Sequence, residues 1–331
     1  MAILAALPKL MRLAMTAPYA QGASVPSTYT QVGFSRFADG IQREPLDTGR
    51  NVGFGTLSKP VTRVVENRRI LRPTGSFVPT VGEWQMFLEW ILGANGIAPG
   101  ASGNDSSTEY LYLPANEVKR RRMIWNDTQN VYQMNEVACT KAVFTSEQGS
   151  ELTLDVEMVG HDWSTVAFPT GLQQDFEASL YATASTLSFP DMSPALTSVP
   201  YKKFVLTIEN RIDPERFFNS LYLSEPIKYD RVITVSVDIP YGVQKELRAT
   251  SSYSNGVELE CKFVLGNKSL RLNLAHVIAW EDSLQHTVAD TPSETLLPWT
   301  GMCYAPIDSV AVPPPATQIG SEIAAYLDVS A

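Results

Sequence analysis

The sequence predicts a mainly β protein, an antiparallel β-sandwich or barrel protomer with one packed α-helix and extended N- and C-terminal arms. Two patterns predict it. Five segments alternate apolar and polar residues with the period of two that a half-buried strand requires, and turn residues that tolerate positive φ stand between them. A single segment carries the helical period together with both of its caps.

Residues 1–45 hold Pro18, Gly22 and Pro26 without a sustained period and read as an N-terminal arm. Their first apolar run has no charge ahead of it and is interrupted by Pro8, so an exported, cleaved start is the weaker reading. Gly53, Phe54 and Gly55 lack the further residues of a phosphate loop and mark a bulge or kink. The helix opens at Thr80, which with Glu83 has capping-box spacing. Trp84, Phe87, Leu88 and Ile91 follow the i, i+3, i+4, i+7 rule, and Gly93 suits a left-handed C-terminal cap. Such an apolar stripe packs on a sheet as a lid. Residues 93–108, rich in Gly, Asn and Ser, form a loop.

The clearest strand is ELTLDVEMVG, with Leu152, Leu154, Val156 and Met158 on one face and Glu151, Thr153, Asp155 and Glu157 on the other. The same period places Phe204, Leu206 and Ile208 together, then Ile233, Val235, Val237 and Ile239. It recurs in Val257, Leu259, Cys261, Phe263 and Leu265, and in Leu270, Leu272 and Leu274. Glu147-Gln148-Gly149, Ser254-Asn255-Gly256 and Gly266-Asn267 supply tight connections. Strand, turn and strand at this spacing argue against a parallel α/β sheet. Residues 301–331 read as a C-terminal arm stiffened by Pro313, Pro314 and Pro315, leaving residues 46–300 as the β domain.

Charged residues make up only 18% of the 331, which points to a surface partly covered by partners. Residues 1–130 contain 14 Lys and Arg against 10 Asp and Glu (+4), and the remainder 12 against 25 (−13). In a monomer that asymmetry is unremarkable; in a chain that stacks on copies of itself, it would steer and register assembly. Cys139, Cys261 and Cys303 are odd in number without metal spacing, which suits synthesis in a reducing cytosol. No run approaches the roughly 18 apolar residues of a membrane span.

Chemistry finds little footing. His161, His276 and His286 lack a nucleophile elbow or zinc-binding spacing, and no calcium loop occurs. No catalytic residue, metal or cofactor is expected. Carboxylates are plentiful, yet nothing singles out a glycosidase pair. Lys119, Arg120, Arg121 and Arg122 form the sharpest charge cluster, open to three readings: a solvated loop, a contact between subunits, or a grip on phosphates. A sequence pI near 5.0 weighs against the last. Glu151, Asp155 and Glu157, with Glu258 and Glu260 behind them, alternate with core residues. They suit either a solvent-facing strand or a channel wall that repels DNA phosphates.

FVLTIENRIDPERFFNSLYLSEPIKYDRVITVSVDIP, VACTKAVFTSEQGSELTLDVEMVG and the preceding helix ending WILG resemble, in pattern and order, the tail tube (major tail) proteins of long, non-contractile-tailed bacteriophages. The likeness covers about residues 50 to 300, and the two arms are harder to match. The resemblance implies a virion protein made in the host bacterial cytoplasm and assembled as hexameric rings stacked into a tube. Its partners would be copies of itself, tail-tip and tail-terminator proteins, and phage DNA passing without tight binding. On that reading the acidic residues face the lumen, and Lys119 to Arg122 make ring-to-ring contacts. The competing readings are an exported β-sandwich hydrolase or carbohydrate-binding module, and another phage shell protein such as a capsid or decoration protein.

Overall fold

A computed structural model describes residues 11–47, 64–174, 177–213, 228–250, 256–279, 296–304 and 322–329, except positions 21, 105, 128, 182–184 and 193. Strands β1 (Leu13–Thr16), β2 (Tyr29–Val32) and β3 (Phe34–Ala38) lead into a hairpin of β4 (Ile41–Asp47) and β5 (Val64–Leu71). Then come β6 (Thr74–Phe77), helix α1 (Val81–Leu92), β7 (Tyr110–Tyr112), β8 (Arg120–Asn126) and β9 (Val131–Glu147). The middle of the chain supplies β10 (Thr153–Val159), β11 (Asp162–Thr165), β12 (Gln173–Gln174), β13 (Ser185–Phe189) and β14 (Leu196–Val199). The last part supplies β15 (Lys203–Ile212), β16 (Lys228–Pro240), helix α2 (Tyr241–Thr250), β17 (Val257–Leu265), β18 (Lys268–Ala279), β19 (Leu296–Cys303) and β20 (Ala324–Asp328).

Two antiparallel layers face each other. The first runs β3, β6, β10, β9, β15, β16, β19. The second runs β14, β13, β17, β18, β20, β7. A short β18 to β19 pairing joins them at one end. The alternating residues expected to be apolar meet between the layers. Leu154, Phe204, Leu206 and Val235 lie in one buried cluster with Leu259, Phe263 and Leu272, and the rings of Phe204 and Phe263 meet edge-on at 6.2 Å. The N-terminal half of β9 leaves this sandwich to pair with β8 and β11, and β8 carries β1, β2 and β12 beyond it. The β2 to β12 pair is parallel.

Helix α1 forms as its sequence requires. Thr80 and Glu83 close the capping box, and Gly93 caps the other end at φ 90°. Trp84 stacks on Phe144 at 5.4 Å, and the Trp90 indole donates to the Val137 carbonyl at 3.0 Å. A helix C-terminus leaves carbonyls without helical partners, and strands β15 and β16 supply donors. Asn210 Nδ2 donates to Ile91 O at 2.9 Å, and Arg231 donates to Leu92 O at 3.2 Å and to Asn210 Oδ1 at 3.1 Å. The helix is thereby fastened to the strand pair by polar atoms as well as by packing.

Two expectations need correction. The terminal segments are not wholly arms: β1 lies between β2 and β8, and β20 lies between β18 and β7. Leu13, Ala14, Met15, Ala325 and Leu327 have no exposed surface. A strand buried on both faces loses the apolar-polar alternation, so LAMT gave no period to read, and AAYLD, buried at Ala324, Ala325 and Leu327 and half-exposed at Tyr326 and Asp328, is too short to stand out. The second correction is helix α2. Its Leu247 is fully buried, and Gln244 donates to the Pro298 carbonyl at 3.0 Å, covering the outer edge of β19. Gly149 and Gly266 make the expected turns at φ 81° and 61°. Gly53 to Gly55, Ser254 and Asn255, His286 and Pro313 to Pro315 lie outside the described residues.

Asn210→Ala removes the donor to Ile91 and the acceptor for Arg231 in a buried position. It is expected to cost about 1–3 kcal/mol in urea unfolding, with the native strand content retained by circular dichroism.

Candidate functional site

The outer surface of the first layer is an open sheet face of polar and β-branched residues. Register places Glu157, Lys141, Glu209 and Val232 in one cross-strand row. The next row holds Asp155, Val143, Thr207 and Thr234. Residues directly opposite on neighbouring strands are close enough to interact, and Lys141 Nζ stands 3.6 Å from Glu157. Asp155 accepts a hydrogen bond from the Ser76 hydroxyl. Asp155, Glu157 and Glu209 share this face with Lys141 and, along its grooves, with Arg36, Arg72 and Arg211, the last paired with Asp230 at 3.2 Å.

Where β15 parts from β9, after the Glu209 to Lys141 pair, a groove of about 470 Å³ opens. It lies between Arg72 to Thr74 on one side and Glu209 to Ile212 on the other. Lys141 and Glu157 form its floor. The two carboxylates that face each other there, Glu157 and Glu209, have Lys141 between them. A lysine thus stands where a glycosidase pair would hold the scissile bond between its two carboxyl groups.

The outer surface of the second layer looks the opposite way, because the cores of both layers face inward. Its charges are largely spent within the chain. Arg271 bridges Glu109 at 2.5 Å and Glu260 at 3.3 Å while covering the Tyr326 ring at 3.9 Å. Burial opposes the charge on Arg271, and the two glutamates overcome that and hold its pKa above the usual value. Glu258 accepts from Asn273 at 2.7 Å.

The sequence-predicted acidic residues thus divide. Asp155 and Glu157 share the open face. Glu258 and Glu260 belong to the opposite one, so the two pairs do not line one channel from the same protomer. Glu151 stands at the rim, bridged to Tyr181. Sequence reasoning missed Glu209, although its place on the polar side of FVLTIE, two residues after Thr207, carried the signal.

The basic cluster requires a correction. Lys119, Arg120 and Arg121 are 6%, 3% and 0% exposed, so in this protomer their side chains do not reach a neighbouring ring, and they do not form a solvated loop. Arg120 pairs with Glu136 at 2.6 Å. Arg121 lies between the rings of Phe87 and Trp90, at 5.5 and 5.1 Å, and donates to the Met86 carbonyl. Burial pushes its guanidinium down to about 9, opposed by more distant Glu89 and other groups. Arg122, half-buried, donates to Asn135 at 2.8 Å. A run of four cations looked like surface because ordinary cores exclude charge, and aromatic faces made the exception here.

Burial also raises the thiol pKa values of Cys139, Cys261 and Cys303, which suits core packing rather than nucleophilic chemistry. Among the described residues no three His, Cys, Asp or Glu side chains converge as metal ligands. No described helix is long and apolar enough to cross a membrane. Comparison with protein families and with curated proteins finds no match for this chain.

Arg121→Met keeps the volume and removes a buried charge with no ion-pair partner among the described residues. The expected outcome is a gain of about 1–2 kcal/mol in urea unfolding, since apolar replacement of buried ions is often stabilising. A loss of similar size would assign Arg121 a larger bonding role. Serine at all four positions, 119 to 122, is expected to abolish cooperative unfolding.

Proposed function

We propose that this chain is a structural subunit that assembles with copies of itself into stacked six-fold rings, forming the tail tube of a long, non-contractile-tailed bacteriophage. The observation that carries the proposal is a polar sheet face ending in unpaired strand edges. At one end, β3 pairs with β6 on one side alone and continues into β4, so that residues 34–47 form a long edge with no second strand partner among the described residues. At the other end, β19 covers β16 only from Thr234 to Pro240, leaving Lys228 to Ile233 without a second partner among the described residues. Unpaired edges invite pairing with another chain, and closing a sheet into a barrel removes them. Ring formation that brings these two edges together turns the open face into a continuous inner wall.

The β4 and β5 hairpin supports the same reading. It forms a two-stranded ladder separate from the main sheet, and such ladders are marginal in water without further packing. Contact with a neighbouring copy supplies that packing. The wall would present Asp155, Glu157 and Glu209 toward passing DNA, with Lys141 held between two of them. The carboxylates repel phosphates, and Lys141, Arg36 and Arg72 beside them temper that repulsion. Tail-tip and terminator proteins would bind the two ends of the tube, and the virion would be the site of action. The hydrolase reading draws less support, because its best-placed carboxylates are separated by a lysine. The capsid or decoration reading shares the edges and differs in symmetry.

Negative-stain microscopy of the purified chain tests the proposal: hollow tubes built from six-fold rings are expected. Particles of icosahedral or other symmetry, or a monomer at every concentration tried, would contradict it. Asp155→Lys with Glu157→Lys is expected to give tubes that retain added DNA at low salt and release it as salt rises, as phosphate contacts do.

A further inference from the structure

We infer that Lys119 and Asn95 are joined by an intramolecular isopeptide bond that staples the loop after α1 to the start of β8. The inference rests on the side chains and backbone at this position and is independent of the tube proposal. Lys119 is 6% exposed, and its Nζ donates to Asn95 Oδ1. The amine and the amide are held by segments fixed against each other. Ala115 N–H donates to Leu92 O at 2.8 Å, Gly93 bridges Pro114, and a Cβ at Gly93 would come within 2.3 Å of Glu117 O. Only glycine permits so close an approach, and it brings residues 93–95 alongside residues 114–119. Holding two reactants in contact raises their effective concentration far above that of free groups.

The chemistry needs no reagent beyond the chain. Lys119 Nζ attacks Asn95 Cγ, the Nζ–Cγ bond forms, the Cγ–Nδ2 bond breaks, and the nitrogen of the side-chain amide leaves as ammonia. The proton given up by the amine passes to the departing nitrogen. Glu89, in the last turn of α1, accepts the Gly96 N–H at 3.5 Å and so helps to fix the backbone next to Asn95. Glu89 is a positioning residue here and forms no bond itself. The resulting amide closes a loop across residues 95–119, where the helix, β7 and β8 meet.

Asn95 precedes Gly96, and that pair can also lose ammonia by closing a ring on the Gly96 backbone nitrogen. The test separates the two. Intact mass of the denatured full chain is expected to be lower than the sequence mass by one ammonia, and protease digestion should release a branched peptide containing both Asn95 and Lys119. Lys119→Arg and Asn95→Ala should each restore the unmodified mass. A mass equal to that of the sequence, or ammonia loss without the branched peptide, overturns the inference. The wild-type peptide decides the matter even if a variant folds poorly.

Discussion

Strand β9 is the constraint on which the rest of the molecule depends. Its C-terminal half is the centre of the first layer, between β10 and β15, while its N-terminal half pairs with β8 and β11 in a different part of the sheet. One strand can serve both only by bending. Glu136 takes φ 51°, the one described non-glycine residue with positive φ, and its partner β8 is bulged between Arg121 and Met123. A residue with a side chain accepts that conformation at a cost. The carboxylate of Glu136 offsets it by holding the buried guanidinium of Arg120 at 2.6 Å. One residue later, the Val137 carbonyl receives the Trp90 indole, so the bend and the seat of helix α1 are set together.

From that bend follow the two unlike outer faces. The second layer closes on itself through Arg271, Glu109, Glu260 and Asn273, and most of its charge has a partner within the chain. The first layer keeps Asp155, Glu157 and Glu209 on an open surface that ends in free strand edges. A protomer with one satisfied face and one bounded by strand edges unpaired among the described residues suits the proposed closed assembly, because only closure removes both edges at once.

Much of this was legible in the sequence where one face of an element is wet and the other dry. Leu154, Phe204, Val235, Phe263 and Leu272 read as core through their period of two, and all are buried. Thr80, Glu83 and Gly93 marked both ends of α1 because capping chemistry is local. Where both faces are dry the signal vanished, as at Leu13 to Thr16, and where the strand is short it was faint, as at Ala324 to Asp328. Pairing partners far apart in the chain were also invisible: nothing in the sequence separates the outward face that carries Asp155 from the one that carries Glu260. The cationic run 119–122 misled for a related reason, since charge reads as surface until the aromatic residues that enclose it, Phe87 and Trp90, are placed in space.

The central claim is that the edges at residues 34–47 and 228–233 meet between copies. Amide hydrogen exchange, compared between the unassembled chain and its assembled form, tests it most directly. The account predicts that the outward amides of both segments become strongly protected on assembly while those of β17 and β18 change little. Equal exchange of both edges in the two states would contradict it.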